Sequence, residues 1–65
     1  MNYTPVKAVL LRNDDRIIST DGVFIVTDIE LDFLEDIVKY TATDVTGRRT
    51  LRWAAMNTLV NKVTS

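Results

Sequence analysis

A chain of 65 residues with no cysteine and no histidine has to hold itself together without the usual staples. A domain this short buries only about 60% of the surface that its unfolded form exposes. Small scaffolds compensate with disulfides, a structural metal, unusually good packing or association with a copy. Disulfides are ruled out, and a zinc staple lacks its Cys and His ligands. Packing and association remain. The same two absences remove thiolate nucleophiles and imidazole general bases. With 46% apolar and 26% charged residues, the chain has the balance of a globular protein, and residues 1–65 make one small domain.

Other segments narrow the expectation. The apolar run Ala8–Leu11 is shorter than the roughly 7 to 15 residues of a signal-peptide core. No stretch approaches the roughly 18 apolar residues of a membrane-spanning helix, so no membrane partner is expected. Zero cysteines suit a reducing compartment, and a cytoplasmic location is the expectation. Asn2-Tyr3-Thr4 has the form of a glycosylation acceptor, read as coincidence without a secretory route.

The first third reads as a three-stranded antiparallel meander. Val6–Arg12, Arg16–Thr20 and Val23–Thr27 are short β-branched runs separated by Asn13-Asp14 and Asp21-Gly22. Asp-Gly between apolar runs is a strong hairpin signal, because both central residues of the favoured turn need positive φ. Two-residue turns place Leu10 opposite Ile17, Ile17 opposite Val26 and Ile18 opposite Ile25. One face then carries Val6, Ala8, Leu10, Ile17, Phe24 and Val26. The other carries Val9, Leu11, Ile18, Val23 and Ile25. An antiparallel sheet with a solvated face alternates apolar with polar. Here both faces are apolar, and both ask for cover.

The middle third reads as a helix over Asp28–Tyr40. Thr27 and Glu30 have capping-box spacing, and Asp28, Glu30 and Asp32 suit the positive end of the helix dipole. Asp28, Asp32, Glu35, Asp36 and Lys39 would share a polar face. Ile29, Leu31, Phe33, Leu34, Ile37, Val38 and Tyr40 would span an apolar arc of roughly 220°. For the last third two readings stand: a loop followed by a helix over Thr50–Val63, or a hairpin around Thr46-Gly47 joining Thr41–Val45 to Arg48–Trp53. The loop-and-helix reading is preferred because Trp53–Lys62 contains no breaker. The expected fold is therefore α+β, the meander followed by two α-helices packed on one sheet face.

Charge is segregated along the chain. Residues 21–36 carry six acids and no base, and residues 47–65 carry four bases and no acid. Arg48, Arg49, Arg52 and Trp53 form a candidate anion or nucleic-acid contact, with guanidiniums for phosphate and an indole for base stacking. A formal net charge of −1 speaks against that reading, and pairing with the acidic segment is the plainer one. Within the second helix Arg52 would be a partly buried arginine facing Glu30. Asp28, Asp32, Glu35 and Asp36 form a candidate acidic contact face. They lack the turn of a calcium loop, so a solvated face is the default. Catalysis has little foothold: the serines are Ser19 and Ser65, and Gly22 and Gly47 are too few for a phosphate-cradling loop.

The sequence resembles no known family. It is expected to be a small non-enzymatic protein–protein interaction module without a cofactor or metal, self-associating as a homo-oligomer, most simply a dimer. Leu11, Ile18, Val23 and Ile25 would form the contact, with Trp53 at its edge. Accessory and inhibitory proteins of phages and plasmids are often this small. The alternative is a nucleic-acid-binding module using the arginine cluster.

Overall fold

The structure is a computed structural model that describes residues 1–64. It is all-β. Six antiparallel strands, β1 (Tyr3–Lys7), β2 (Arg16–Ser19), β3 (Gly22–Asp32), β4 (Ile37–Thr43), β5 (Arg49–Ala55) and β6 (Leu59–Val63), form one sheet in the order β1-β6-β2-β3-β4-β5. Among the described residues there is no α-helix, and a single 3₁₀ turn, Ala8–Leu10, follows β1. The α+β expectation, with its two helices, is overturned. Among the described residues no helix is long and apolar enough to cross a membrane.

The first predicted helix is replaced by the second half of β3, a turn at residues 33–36 and the start of β4. A bulge explains the misleading pattern. Thr27 pairs with Thr41 and Glu30 with Lys39, so Asp28 and Ile29 together oppose the single residue Tyr40. The extra residue breaks the two-residue alternation and puts Thr27 and Glu30 on one face at an i, i+3 spacing. That spacing imitates a helical period and a capping box. Asp28 takes the left-handed conformation, φ 54°, that the bulge requires.

The second predicted helix is β5, a turn at Met56-Asn57, and β6. The hairpin reading of residues 41–53 is the one the structure adopts, with β4 and β5 in unbroken register from Ile37↔Ala55 to Thr43↔Arg49. Trp53, Val60 and Val63 are residues whose side chains suit a pleated surface, and pairing with β4, β1 and β2 outweighs weak local preferences.

The predicted meander is also corrected. Val6–Arg12 is not one strand: β1 ends at Lys7 and pairs with β6, not with β2. Leu10 is 63% exposed, whereas Leu11 is buried. The β2–β3 hairpin exists, but its loop is Thr20-Asp21 and Gly22 pairs with Ser19. Ile17 faces Phe24 rather than Val26, and Ile18 faces Val23 rather than Ile25. The slip is two residues, so every side chain keeps its face.

Most of the burial falls on one side of the sheet, Val63 of β6 being a buried residue of the other. Ile17, Phe24, Val26, Val38, Tyr40 and Ala42 point inward, joined by Ala8 and Leu11 from the segment after β1 and Met56 from the β5–β6 turn. A lone sheet must find cover for its apolar face, and this one covers itself by curling. Arg52 of β5 reaches over the ring of Phe24 on β3, and β2, β4, β5 and β6 line one shared cleft. The 8–11 segment closes one end, with the amides of Ala8 and Val9 donating to the carbonyls of Thr58 and Met56. β1 and β5 are left as the open edges.

Candidate functional site

Strand alternation separates the arginine cluster. Arg49, Leu51 and Trp53 lie on the outer face of β5, while Arg52 projects inward opposite Tyr40. Arg48 sits in the β4–β5 turn. The three guanidiniums do not converge on one phosphate-sized site. Arg49 bridges to Asp28 at 3.8 Å, a pair exposed on both sides, and Arg52 approaches Asp21 at 3.6 Å. Glu30, the partner expected for Arg52, lies on the outer face opposite Lys39.

The four acids proposed as one helical face are also dispersed. Asp28 is at the bulge, Asp32 ends β3, and Glu35 and Asp36 belong to the β3–β4 turn. There the Asp32 carboxylate accepts from the Glu35 amide at 3.1 Å, and Asp36 adopts a positive φ of 58°. Among the described residues no three such groups gather as a metal site.

Of the five residues expected at an interface, Leu11 is a core residue and cannot contribute to an exposed contact. Ile18 and Val23 pair across β2 and β3 on the outer face and are half-buried. Ile25 is partly exposed, and Trp53 is 65% exposed. They do not form one patch. The outer face runs Ile25–Thr43–Arg49, then Thr27–Thr41–Leu51, then Glu30–Lys39–Trp53. A band of threonines thus divides the Ile18–Val23–Ile25 cluster from Leu51 and Trp53.

The residue missed in the sequence was Leu51, 64% exposed beside Trp53 on the outer face of the open strand. Its signal was the alternation Arg49-x-Leu51-x-Trp53, legible only once residues 49–55 are read as a strand. The two edges differ in kind. β1 carries Pro5, which has no N–H to offer, and Lys7, both of which discourage pairing with another chain. β5 has seven residues with no proline, glycine, lysine or bulge. Its two charges are Arg49 and Arg52, and a regular edge of that length with no proline still offers its free main-chain groups to another strand.

The inner side holds a cleft of about 370 Å³ between β2 and β6 on one wall and β4 and β5 on the other, lined by Ile17, Thr20, Tyr40, Arg52, Val60 and Asn61 among others. Its volume falls at the low end of small-molecule sites, roughly 300–1,000 Å³. The Arg52 guanidinium carbon sits 4.2 Å from the Phe24 ring centroid. Burial pushes the Tyr40 phenol above its ordinary pKa, with the Arg52 charge pulling it back, so the hydroxyl stays protonated at neutral pH.

The β4–β5 turn is organised by Asp44. Its carboxylate accepts from the Thr46 hydroxyl at 2.6 Å and from the amides of Thr46 and Arg48 at 2.9 and 3.0 Å. Those bonds, the Thr46 hydroxyl first, hold its pKa below the usual carboxylate value. The turn fixes where β5 starts, and so where its edge lies. Comparison with protein-family models, curated proteins and solved structures finds no match to this chain.

Proposed function

We propose that the protein is a small non-enzymatic interaction module that pairs with a second copy of itself along the open edge of β5. One observation carries the reading: β5 is the longer and fully regular edge and shows exposed Leu51 and Trp53 between and beside its two arginines, whereas β1 at the opposite edge is shorter and interrupted by Pro5. Antiparallel addition of a strand satisfies the free amides and carbonyls and extends the sheet to twelve strands.

Self-complementarity selects the register. A two-fold axis through Leu51 places Leu51 against its own copy and Arg49 against Trp53 of the second copy, on the outer face. The guanidinium–indole pairs contribute about 0.5–1 kcal/mol each at such exposed sites. On the inner face Thr50 meets Arg52. An axis through Arg52 would instead oppose two arginines, and like charges directly opposite are destabilising. The contact is isologous, so each favourable pair occurs twice.

Sedimentation across roughly 1–200 µM tests this reading. The expected mass rises from the 7.4 kDa of one chain toward twice that value. Leu51→Lys, which puts like charges at the axis, keeps the fold and holds the mass at one chain. A wild type that stays at one chain throughout, or a Leu51→Lys variant that still doubles, contradicts it.

A further inference from the structure

We propose that the inner cleft is a binding site for a carboxylate carried on a short aliphatic group, with Arg52 as the receptor of the carboxylate. This inference does not require pairing along β5: although Arg52 belongs to that strand, its side chain projects to the face opposite Leu51 and Trp53.

The arginine is held in place yet underused. Its guanidinium lies over the Phe24 ring, which fixes its position without filling its five N–H donors. Its one carboxylate contact is a single 3.6 Å approach to Asp21, whose side chain is 71% exposed in the β2–β3 turn. Contacts of that length and exposure are weak and easily exchanged. A planar guanidinium on a side chain that is 28% exposed, on the wall of a cleft, suits a bidentate carboxylate.

The neighbours define the rest of the ligand. Tyr40 lies directly across the ladder from Arg52, and its hydroxyl keeps its proton, so it can donate to the same anion. Ile17 and Val60, on the inner faces of β2 and β6, supply apolar surface on the facing wall. A bare phosphate would use the charge and waste the apolar wall. An aliphatic carboxylate uses both. Asp21 then acts as a built-in competitor that occupies Arg52 until a ligand carboxylate displaces it.

The test is a titration followed by amide resonances of ¹⁵N-labelled protein. The probes are N-acetylleucine, neutral N-acetylleucinamide and inorganic phosphate, each to about 20 mM. Saturable shifts centred on Thr20, Tyr40, Arg52 and Asn61 are expected with N-acetylleucine alone. Arg52→Gln should weaken binding by at least tenfold, the loss of a charge-assisted hydrogen bond. Asp21→Asn, an exposed change that leaves the core intact, should tighten it severalfold. That second variant keeps the proposal exposed to refutation even if Arg52→Gln unfolds the chain. Extending the probe to Gly-Gly-Leu tells the sources apart: tighter binding marks a polypeptide C-terminus, and unchanged or weaker binding marks a free small acid. Equal shifts with the amide or with phosphate, no saturable response, or unchanged affinity in Asp21→Asn would overturn the assignment.

Discussion

Two forces act on Arg52, and their sizes can be separated. One is the ion pair with Asp21, at 3.6 Å to a carboxylate that is 71% exposed; exposed pairs contribute about 0.2–1 kcal/mol at most, and a single long contact belongs at the bottom of that range. The other is the guanidinium 4.2 Å from the centroid of Phe24, a buried ring, for which about 1 kcal/mol is expected between the exposed and fully desolvated limits. The stacking contact therefore outweighs the ion pair. A double-mutant cycle measures each. Phe24→Leu keeps most of the volume, where Phe24→Ala would cost about 3–5 kcal/mol and threaten the fold. Arg52→Met keeps the apolar stem and removes the charge. Urea unfolding of the wild type, both single variants and the double should give a coupling of about 1 kcal/mol, while the Asp21→Asn/Arg52→Met cycle gives under about 0.4 kcal/mol. With a urea slope near 1 kcal/mol/M for so small a domain, the first coupling corresponds to a midpoint change of about 1 M. Equal couplings, or a larger one for Asp21, would refute the ordering and with it the idea that Asp21 is readily displaced.

Three further outcomes follow from the same geometry. Val26→Ala, at a position with no solvent exposure between the two halves of the sheet, should cost about 2–3 kcal/mol in a urea melt from lost transfer energy plus a cavity. Asp28→Val should destabilise by about 1–2 kcal/mol, because a β-branched residue resists the positive φ of the bulge, whereas Asp28→Gly should be neutral or stabilising. Asp44→Asn should lower the urea midpoint at neutral pH. Because the folded pKa of Asp44 is depressed, its contribution is complete above the unfolded value of about 3.8 and fades as pH falls through the lower folded value. The difference between wild type and variant should therefore shrink below about pH 4.

Turn chemistry was the most legible part of the sequence. A β2–β3 hairpin is present, though its loop is Thr20-Asp21 rather than Asp21-Gly22, and Asn13-Asp14 is a turn across which the Arg12 amide donates to the Asp15 carboxylate at 2.9 Å. Ile17, Phe24 and Val26 were grouped on one face correctly because a two-residue slip preserves pleat parity. The helix over residues 28–40 failed for a local reason, the bulge at Asp28 that turned a strand period into a helical one. The helix over residues 50–63 failed for a non-local one. β6 lies between β1 and β2, some 40 to 60 residues away in the chain, and no local pattern announces that pairing. The supposed excess of apolar surface looked different once the sheet was seen to curl, since Leu11 and the inner faces of β2 and β3 cover one another. Other large apolar side chains stay exposed, scattered over the molecule. Leu51 and Trp53 lie on the open edge, and Phe33 and Leu34 sit at the tip of the β3–β4 hairpin.

Oxidative cross-linking of Leu51→Cys tests the central claim most directly. The chain has no cysteine of its own, and residues facing one another at an antiparallel two-fold axis lie about 4.5–5.5 Å apart at Cα, inside the disulfide window of roughly 4.4–6.8 Å. Edge-to-edge pairing predicts rapid conversion of Leu51→Cys to a covalent dimer under mild oxidation, and little dimer from Tyr3→Cys on the opposite edge. Equal, slow cross-linking of the two variants would contradict it.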